Sequence, residues 1–360
     1  MKKKKILFLG ETYRADAQTW MNGLREFGDF ELVSWELKTP SYGEINRLFR
    51  LLEYAMAWFS LRKFIREEQP DMVIAERTTS YGFLAAHTGI RPVVIAQQGI
   101  TDLWPSSSLL LPIKKQMQRY AFQKADLVHA WGPIMAESMA KVGVDSSKIL
   151  VLPKGINTIT FTCGTDVEPQ KIKAIVTRAL EPEYGHTLIL KAFHQLKQKG
   201  IEFELTIVGD GLEKNRLKKM CNQLQINNQV NFTGRVPNTE LPALLVQHNY
   251  YLSMPETEGV SASLFEAMAC GCYPIVSDLP GNRSWISHQE NGQLVSLQDP
   301  KALVNALEWA IAHPEIRKKA RIENREFVVH QAHYQTNMTL IAVRYHALLD
   351  TKYKTKNVRN

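Results

Sequence analysis

The sequence has no Asp-x-Asp triplet, no Gly-x-Gly-x-x-Gly turn and only four cysteines in 360 residues. Each absence removes a class of function. Without the glycine fingerprint, for which the GETYR loop after the first strand is the obvious place, a nicotinamide-dependent dehydrogenase is not expected. The lack of acidic triplets and of any His/Asp/Glu cluster at ligand spacing leaves no expected metal site. Cys163, Cys221, Cys270 and Cys272 have neither zinc spacing nor the density of a disulfide scaffold, so they read as small buried residues of a reducing compartment. Long apolar runs are missing too. Ile6 to Leu9 is too short for a signal-peptide core and reads as a strand, and Ile45 to Ile65 is broken by Arg47, Arg50, Glu53, Arg62 and Lys63. A cytoplasmic protein without a spanning helix, possessing no low-complexity tract, is the expectation.

What is present is a globular composition, 44% hydrophobic and 22% charged, with a net charge of +8 and a pI near 9.1. That excess of cations favours anionic partners, either phosphorylated ligands or an acidic membrane surface, rather than identifying one. Nothing points to nucleic acid. Short β-rich runs alternate with helical patterns in two series. The first is KILFLG, helix 15–26, FELVSW, helix 44–68, DMVIA, helix 80–88, PVVIA, helix 109–124, DLVHAW and helix 133–142. The second runs through IKAIVT, FELTIVG, QVNFTG, YYLSM and YPIVS, with helices at 186–199, 212–224, 238–247 and 261–270. Alternation of this kind gives α/β units with parallel sheets covered on both faces. Pro153, Gly155, Gly164 and Pro169 interrupt it, so a hinge is expected at 153–168, between domains at 1–155 and 169–330. A last helix at about 335–353 carries Met338, Leu340, Ile341, Val343, Leu348 and Leu349 and is expected to pack on the first domain. Two doubly wound domains facing across a cleft place the loops after their strands where ligands bind.

The chemistry concentrates in PETEGVSASLFEAMACG, where Glu258 and Glu266 stand eight positions apart. If Val260 or Ser261 opens a helix, its first amides and dipole suit a diphosphate, and Gly259 allows close backbone approach. Eight helical residues rise about 12 Å, too far for the pairing of retaining glycosidase carboxylates at about 5 Å. The spacing fits a grip on the two ends of an extended ligand, Glu258 toward a sugar and Glu266 toward a ribose. It fits equally a plain amphipathic helix with Leu264, Ala267 and Met268 inward and two solvated glutamates.

This segment resembles the Glu-seven-residues-Glu hallmark of glycosyltransferase family 4, retaining enzymes of GT-B fold. The resemblance extends over nearly all of 125–350, through ADLVHAWGPIMAESMAKVGVDSSKILVLPKGI, TRALEPEYGHTLILKAF, LTIVGDGLEKNRL, VNFTGRVP, PIVSDLPGNRSWI and ENGQLV. It implies that Arg178 contacts a donor diphosphate, a role its guanidinium fork suits. It further implies that Glu266 holds the ribose, that Gly209, Asp210 and Gly211 shape a loop at the nucleotide, and that Gly234, Arg235 and Val236 lie beside the base.

The chain departs from the family pattern at three places. Tyr184 stands where many members have a lysine six residues after the arginine, with Lys154 and His186 either as replacements or as plain loop residues. Gln97 and Gln98 follow the fourth strand where some members carry a histidine; glutamine donates a hydrogen bond but does not titrate. Ser284 replaces a frequent glutamate. Gln98, Asp102 and Arg14 are the acceptor-side candidates, against readings of Asp102 as an ordinary loop residue and of Asp16 as the cap of the first helix. Helix 44–68, with Arg47, Arg50, Arg62, Lys63 and Arg66 beside Phe49, Trp58 and Phe59, suits an anionic membrane or, alternatively, is a domain helix with a basic edge.

These features together lead to the expectation of a metal-independent, retaining hexosyltransferase that uses a nucleotide-diphosphate sugar as co-substrate and no other cofactor. Its acceptor would be a glycan or lipid-linked saccharide, with surface polysaccharide or lipopolysaccharide synthesis as the setting. A GT-B nucleotide-sugar epimerase and a degenerate binding protein are the rival expectations.

Overall fold

The computed structural model describes residues 3–39, 44–97, 99–103, 109–164, 171–299 and 301–357. The chain divides into one unit of Met1–Lys154 with Gln335–Asn360 and another of Gly155–Tyr334.

In the first unit the strands are β1 (Lys5–Leu9), β2 (Glu31–Trp35), β3 (Met72–Glu76), β4 (Val93–Ala96), β5 (Leu127–Ala130) and β6 (Ile149–Val151). They form one sheet in the order β2-β1-β3-β4-β5-β6, every pair parallel. Strands β3, β4 and β5 are buried along their whole length, which is why they read as unbroken apolar runs rather than alternating ones. Helices α1 (Ala15–Gly28), α2 (Glu44–Glu68), α3 (Tyr81–His87), α4 (Leu111–Lys124) and α5 (Pro133–Lys141) cover the sheet.

The second unit has β7 (Ile172–Thr177), β8 (Phe203–Val208), β9 (Val230–Gly234), β10 (Tyr250–Ser253), β11 (Tyr273–Ser277) and β12 (Gln293–Val295). Their order is β12-β11-β10-β7-β8-β9, again with only parallel pairs. Helices α6 (His186–Gln198), α7 (Lys214–Gln223), α8 (Leu241–Leu245), α9 (Ala262–Ala269), α10 (Pro280–Arg283), α11 (Ala302–Ala312) and α12 (Pro314–Gln331) belong to this unit. Its core lies on both faces of the sheet. Leu190, Phe193 and Leu205 are fully buried in one cluster; Tyr251, Leu264, Phe265 and Met268 are buried in the other.

The last helix, α13 (Tyr334–Asn357), returns to the first unit. Met338, Ile341 and Leu349 are buried there, and His346 Nε2 meets the carbonyl of Gly28 at 2.8 Å. Leu340 and Val343, expected on the same apolar face, are exposed instead. Part of the stretch expected as a hinge is bonded within the second unit. Arg325 donates to the carbonyls of Thr158 and Phe161, and Ile156 N bonds Ala332 O at 2.8 Å; residues 165–168 lie outside the described chain. Among the described residues no helix is long and apolar enough to cross a membrane.

Candidate active site

A parallel sheet wound in two directions opens a crevice where neighbouring strands send their following loops to opposite sides. In the second unit that point is between β7 and β10, which pair through Tyr250↔Ala174 and Tyr251↔Ile175. Arg178 follows β7, Ser253 ends β10, and the Glu258 loop runs on into α9, so topology alone brings these residues together.

Arg178 is the centre of the arrangement. Its Nε donates to Ser253 Oγ at 3.0 Å and its Nη2 to Ser261 Oγ at 2.6 Å, and Nη2 is also ion-paired with Glu258 Oε2. The guanidinium lies over the Tyr184 ring, 5.5 Å from its centroid. Burial by itself would disfavour its charge. Tyr251, Glu258 and Tyr184 around it more than offset that and hold its pKa above the ordinary value. Ser261 is the N-cap of α9: its Oγ accepts from Leu264 N at 3.2 Å, so one hydroxyl serves both the helix start and the arginine. Val260 packs at the edge of the apolar cluster beneath.

Glu266 sits half-buried on α9. Burial raises its carboxyl to about 7, the Arg178 charge pulling in the other direction.

Close backbone approaches hold the surrounding loops. Gly209 has φ +146°, and a Cβ there would strike the carbonyl of Arg178. Gly209 N donates to Gly234 O at 2.8 Å, Leu180 N to Asp210 O at 3.1 Å and Glu213 N to Leu180 O at 2.9 Å. The loops after β7, β8 and β9 are thereby stitched into one rim. On that rim, Asp210 accepts from Lys214 at 3.0 Å and from Gly211 N at 2.9 Å, both of which lower its pKa, with a smaller contribution from Arg235. Val236 is partly buried against the core below. A Cβ on Gly281, at the start of α10, would collide with the carbonyls of Glu258 and Gly259. Only glycine lets α10 support the loop that carries Glu258.

The proposed substitutes for the missing lysine have other work. His186 Nε2 meets Ala179 O at 2.8 Å, and burial lowers the ring's pKa, so it braces the Arg178 loop as a neutral group. Lys154, in the first unit, lies 4.4 Å from the Trp131 ring centroid and donates to Asp16 O at 3.1 Å.

The switch point of the first unit is between β1 and β3, and it gathers charges that the sequence reading passed over. Glu11, 1% exposed, accepts from Arg50 Nη2 and Arg77 Nη2, each at 2.7 Å, and from Arg14 at 3.5 Å. Arg50 is therefore turned inward and is no part of a basic outer edge of α2. Glu76, also 1% exposed, has one buried carboxyl oxygen without a hydrogen-bond partner. Burial, then Asp16, raise it to about 7 against the pull of Lys154, Arg77 and Arg14. Arg14 is the N-cap residue of α1 and that helix has no side-chain cap, so Asp16 does not cap it; Asp16 pairs with Arg14 at 3.6 Å. Asp102 Oδ2 accepts from Thr78 N at 2.7 Å, fixing the turn after β3. Gln97 is buried and donates to Gly99 O at 2.9 Å; Gln98 lies outside the described residues. No group of three or more His, Cys, Asp or Glu among the described residues is placed to hold a metal ion.

Two Rossmann-like units with these switch-point loops define a glycosyltransferase fold of the GT-B class. Residues 34–159 match the family model described as Glycosyltransferase Family 4, and residues 165–327 that described as Glycosyl transferases group 1. The chain belongs to glycosyltransferase family 4. It is 29% identical over 194 residues to the putative colanic acid biosynthesis glycosyltransferase WcaL of Escherichia coli K12, a match covering 52% of this chain and 48% of WcaL; the chain thus spans about half the length of that relative. It is 23% identical over 278 residues, 72% of each chain, to a GDP-mannose-dependent alpha-(1-6)-phosphatidylinositol monomannoside mannosyltransferase of Mycolicibacterium smegmatis. Among solved structures, Anabaena HepE in complex with UDP and glucose superposes with a TM-score of 0.74 at 17% identity, over 96% of this chain and 100% of that one.

The raised carboxyl of Glu76 makes stability depend on pH. Its carboxyl is raised from an ordinary 4.5 to about 7, so the stability its proton carries is full below 4.5 and lost as pH rises through 7. The shift corresponds to about 3 kcal/mol. Urea unfolding between pH 4.5 and 8 is expected to show this decline in the wild type and a flatter profile in Glu76→Gln; parallel profiles would refute the assignment.

Proposed function

We propose that the protein is a retaining hexosyltransferase that moves a sugar from a nucleotide-diphosphate donor to a glycan or lipid-linked saccharide, without a metal ion, in bacterial surface polysaccharide or lipopolysaccharide synthesis. The observation that carries this reading is the junction of Arg178, Ser261 and Glu258 at the start of α9. A diphosphate leaving group develops negative charge as the glycosidic bond breaks, and a fixed guanidinium beside a helix N-terminus is preorganised to stabilise it. Glu258 is the sugar-side contact. Glu266 accepts the ribose hydroxyls, and the rim of Gly209, Asp210, Gly211, Gly234, Arg235 and Val236 flanks the nucleotide.

No carboxylate is assigned as nucleophile, and the proposed course is departure and attack on one face through an oxocarbenium-like state. Positioning and leaving-group electrostatics then supply most of the acceleration. Arg14 and Asp102 remain the acceptor-side proposals from the sequence, now joined by Glu76 and Arg77 at the same switch point. The relatives named for colanic acid synthesis and for a GDP-mannose donor, and the neighbour solved with UDP, support the setting and make UDP and GDP the first nucleotides to test.

Thermal unfolding with UDP, GDP, ADP and CMP is the direct check. One nucleotide is expected to stabilise the wild type by about 2.7 kcal/mol at about 100 times its dissociation constant. Glu266→Ala is expected to lose most of that gain. No response to any of the four would count against the reading.

Peripheral contact with an anionic membrane is part of the proposal. Leu48, Leu52, Met56 and Phe59 are all more than half exposed along one face of α2, opposite the buried Ala57 and Leu61. Exposed Arg62, Lys63 and Arg66 follow on the same helix. An apolar stripe beside cations suits the interface of an acidic bilayer. Co-sedimentation with phosphatidylglycerol vesicles is expected for the wild type and is expected to fall at least fivefold in the double substitution Met56→Asp, Phe59→Asp; equal binding by both would remove the membrane contact.

A further inference from the structure

Arg178 has five N–H donors. Its Nε and Nη2 are committed to Ser253, Ser261 and Glu258, and Nη1 has no partner among the described residues. The carboxylate of Glu258 and the guanidinium are both largely buried, with side-chain exposures of 12% and 15%. At this depth an ion pair is only weakly screened, so the charge of Glu258 is felt by any anion that reaches the same guanidinium.

The neighbouring positions do not compensate. Tyr184 offers the guanidinium an aromatic face in place of a lysine's cation, and His186 is bonded to a carbonyl, with burial lowering its pKa and so disfavouring its charge. On the rim, Lys214 is paired with Asp210. Before a ligand arrives, Arg178 and Glu258 therefore form a neutral pair at the place where a diphosphate would bring at least two negative charges.

We propose that Glu258 acts as a counter-ion competing with the diphosphate for Arg178, so that the free nucleotide left after sugar transfer is held weakly and released. This deepens the nucleotide-sugar reading above and rests on it. While a sugar is attached, its hydroxyls give the carboxylate a second partner, and the diphosphate engages Arg178 through Nη1 with less competition. Once the sugar has gone, the carboxylate returns to the guanidinium and faces the phosphates as a like charge.

The test is titration calorimetry of wild type and Glu258→Gln with whichever of UDP and GDP the wild type binds, at low and at high potassium chloride. Glutamine keeps the size and an oxygen acceptor for Arg178 but removes the charge. The expected result is at least tenfold tighter binding of the free nucleotide by Glu258→Gln, with a steeper loss on adding salt than the wild type shows. Equal or weaker binding by a variant that still unfolds cooperatively would overturn the proposal, because a merely structural Glu258 would loosen the site when replaced. Should Glu258→Gln fail to fold, Glu258→Asp, whose shorter side chain withdraws the charge, is expected to bind the nucleotide several-fold tighter; unchanged affinity there would overturn it equally. Failure of the wild type to bind either nucleotide would instead overturn the nucleotide-sugar reading itself.

Discussion

The parallel pairing of β7 with β10 is the constraint on which the site in the second unit depends. Winding the chain outward from β7 through β8 and β9, then returning to β10 on its other side, leaves two adjacent strands whose loops diverge. Arg178 and Glu258 are 80 positions apart in sequence and touch because of that return. The buried apolar faces that fix the strand order are therefore the indirect support of the ion pair. Gly209 and Gly281 extend the same logic, since each lets a neighbouring loop approach backbone to backbone where a side chain would force the rim apart.

Burying a charge is costly unless its donors are satisfied, and breaking one partner of such a pair costs more than the pair contributes to stability. Arg178 meets that demand at Nε and Nη2 with two serine hydroxyls and a carboxylate, beside an aromatic face, and leaves Nη1 open among the described residues. Fixing a guanidinium this firmly restricts its rotamers before any ligand arrives, so less reorganisation is left to the reaction. The first unit solves a similar problem differently. Glu11 is satisfied by Arg50, Arg77 and Arg14, whereas Glu76 keeps an unpartnered oxygen and a proton near neutrality.

Much of this was legible in the residues. Apolar runs bounded by turn signals located ten of the strands closely, and the Glu258–Glu266 spacing pointed to a helix whose start is capped by Ser261. The short edge strands β6 and β12 were not read as strands, because three residues carry no periodicity of their own and gain their state only from a partner. Arg50 was read as an outward cation since its helix looks basic along its length, yet a buried carboxylate from a distant loop turns it inward. Glu11 and Glu76 were passed over for the same reason: an acid next to a strand is indistinguishable in sequence from a solvated one. The pairing of Arg178 with Glu258 was equally invisible. Both residues were identified singly, but their contact is a product of strand order.

The central claim is that Arg178 and the start of α9 stabilise a departing diphosphate. It is tested most directly by release of nucleotide diphosphate from UDP- and GDP-sugars, with and without a bacterial lipid-linked saccharide fraction, by wild type and Arg178→Ala. The account predicts acceptor-dependent release by the wild type that falls by about 100-fold or more in the variant, in line with the loss of one preorganised donor. Equal release by a correctly folded Arg178→Ala would contradict it.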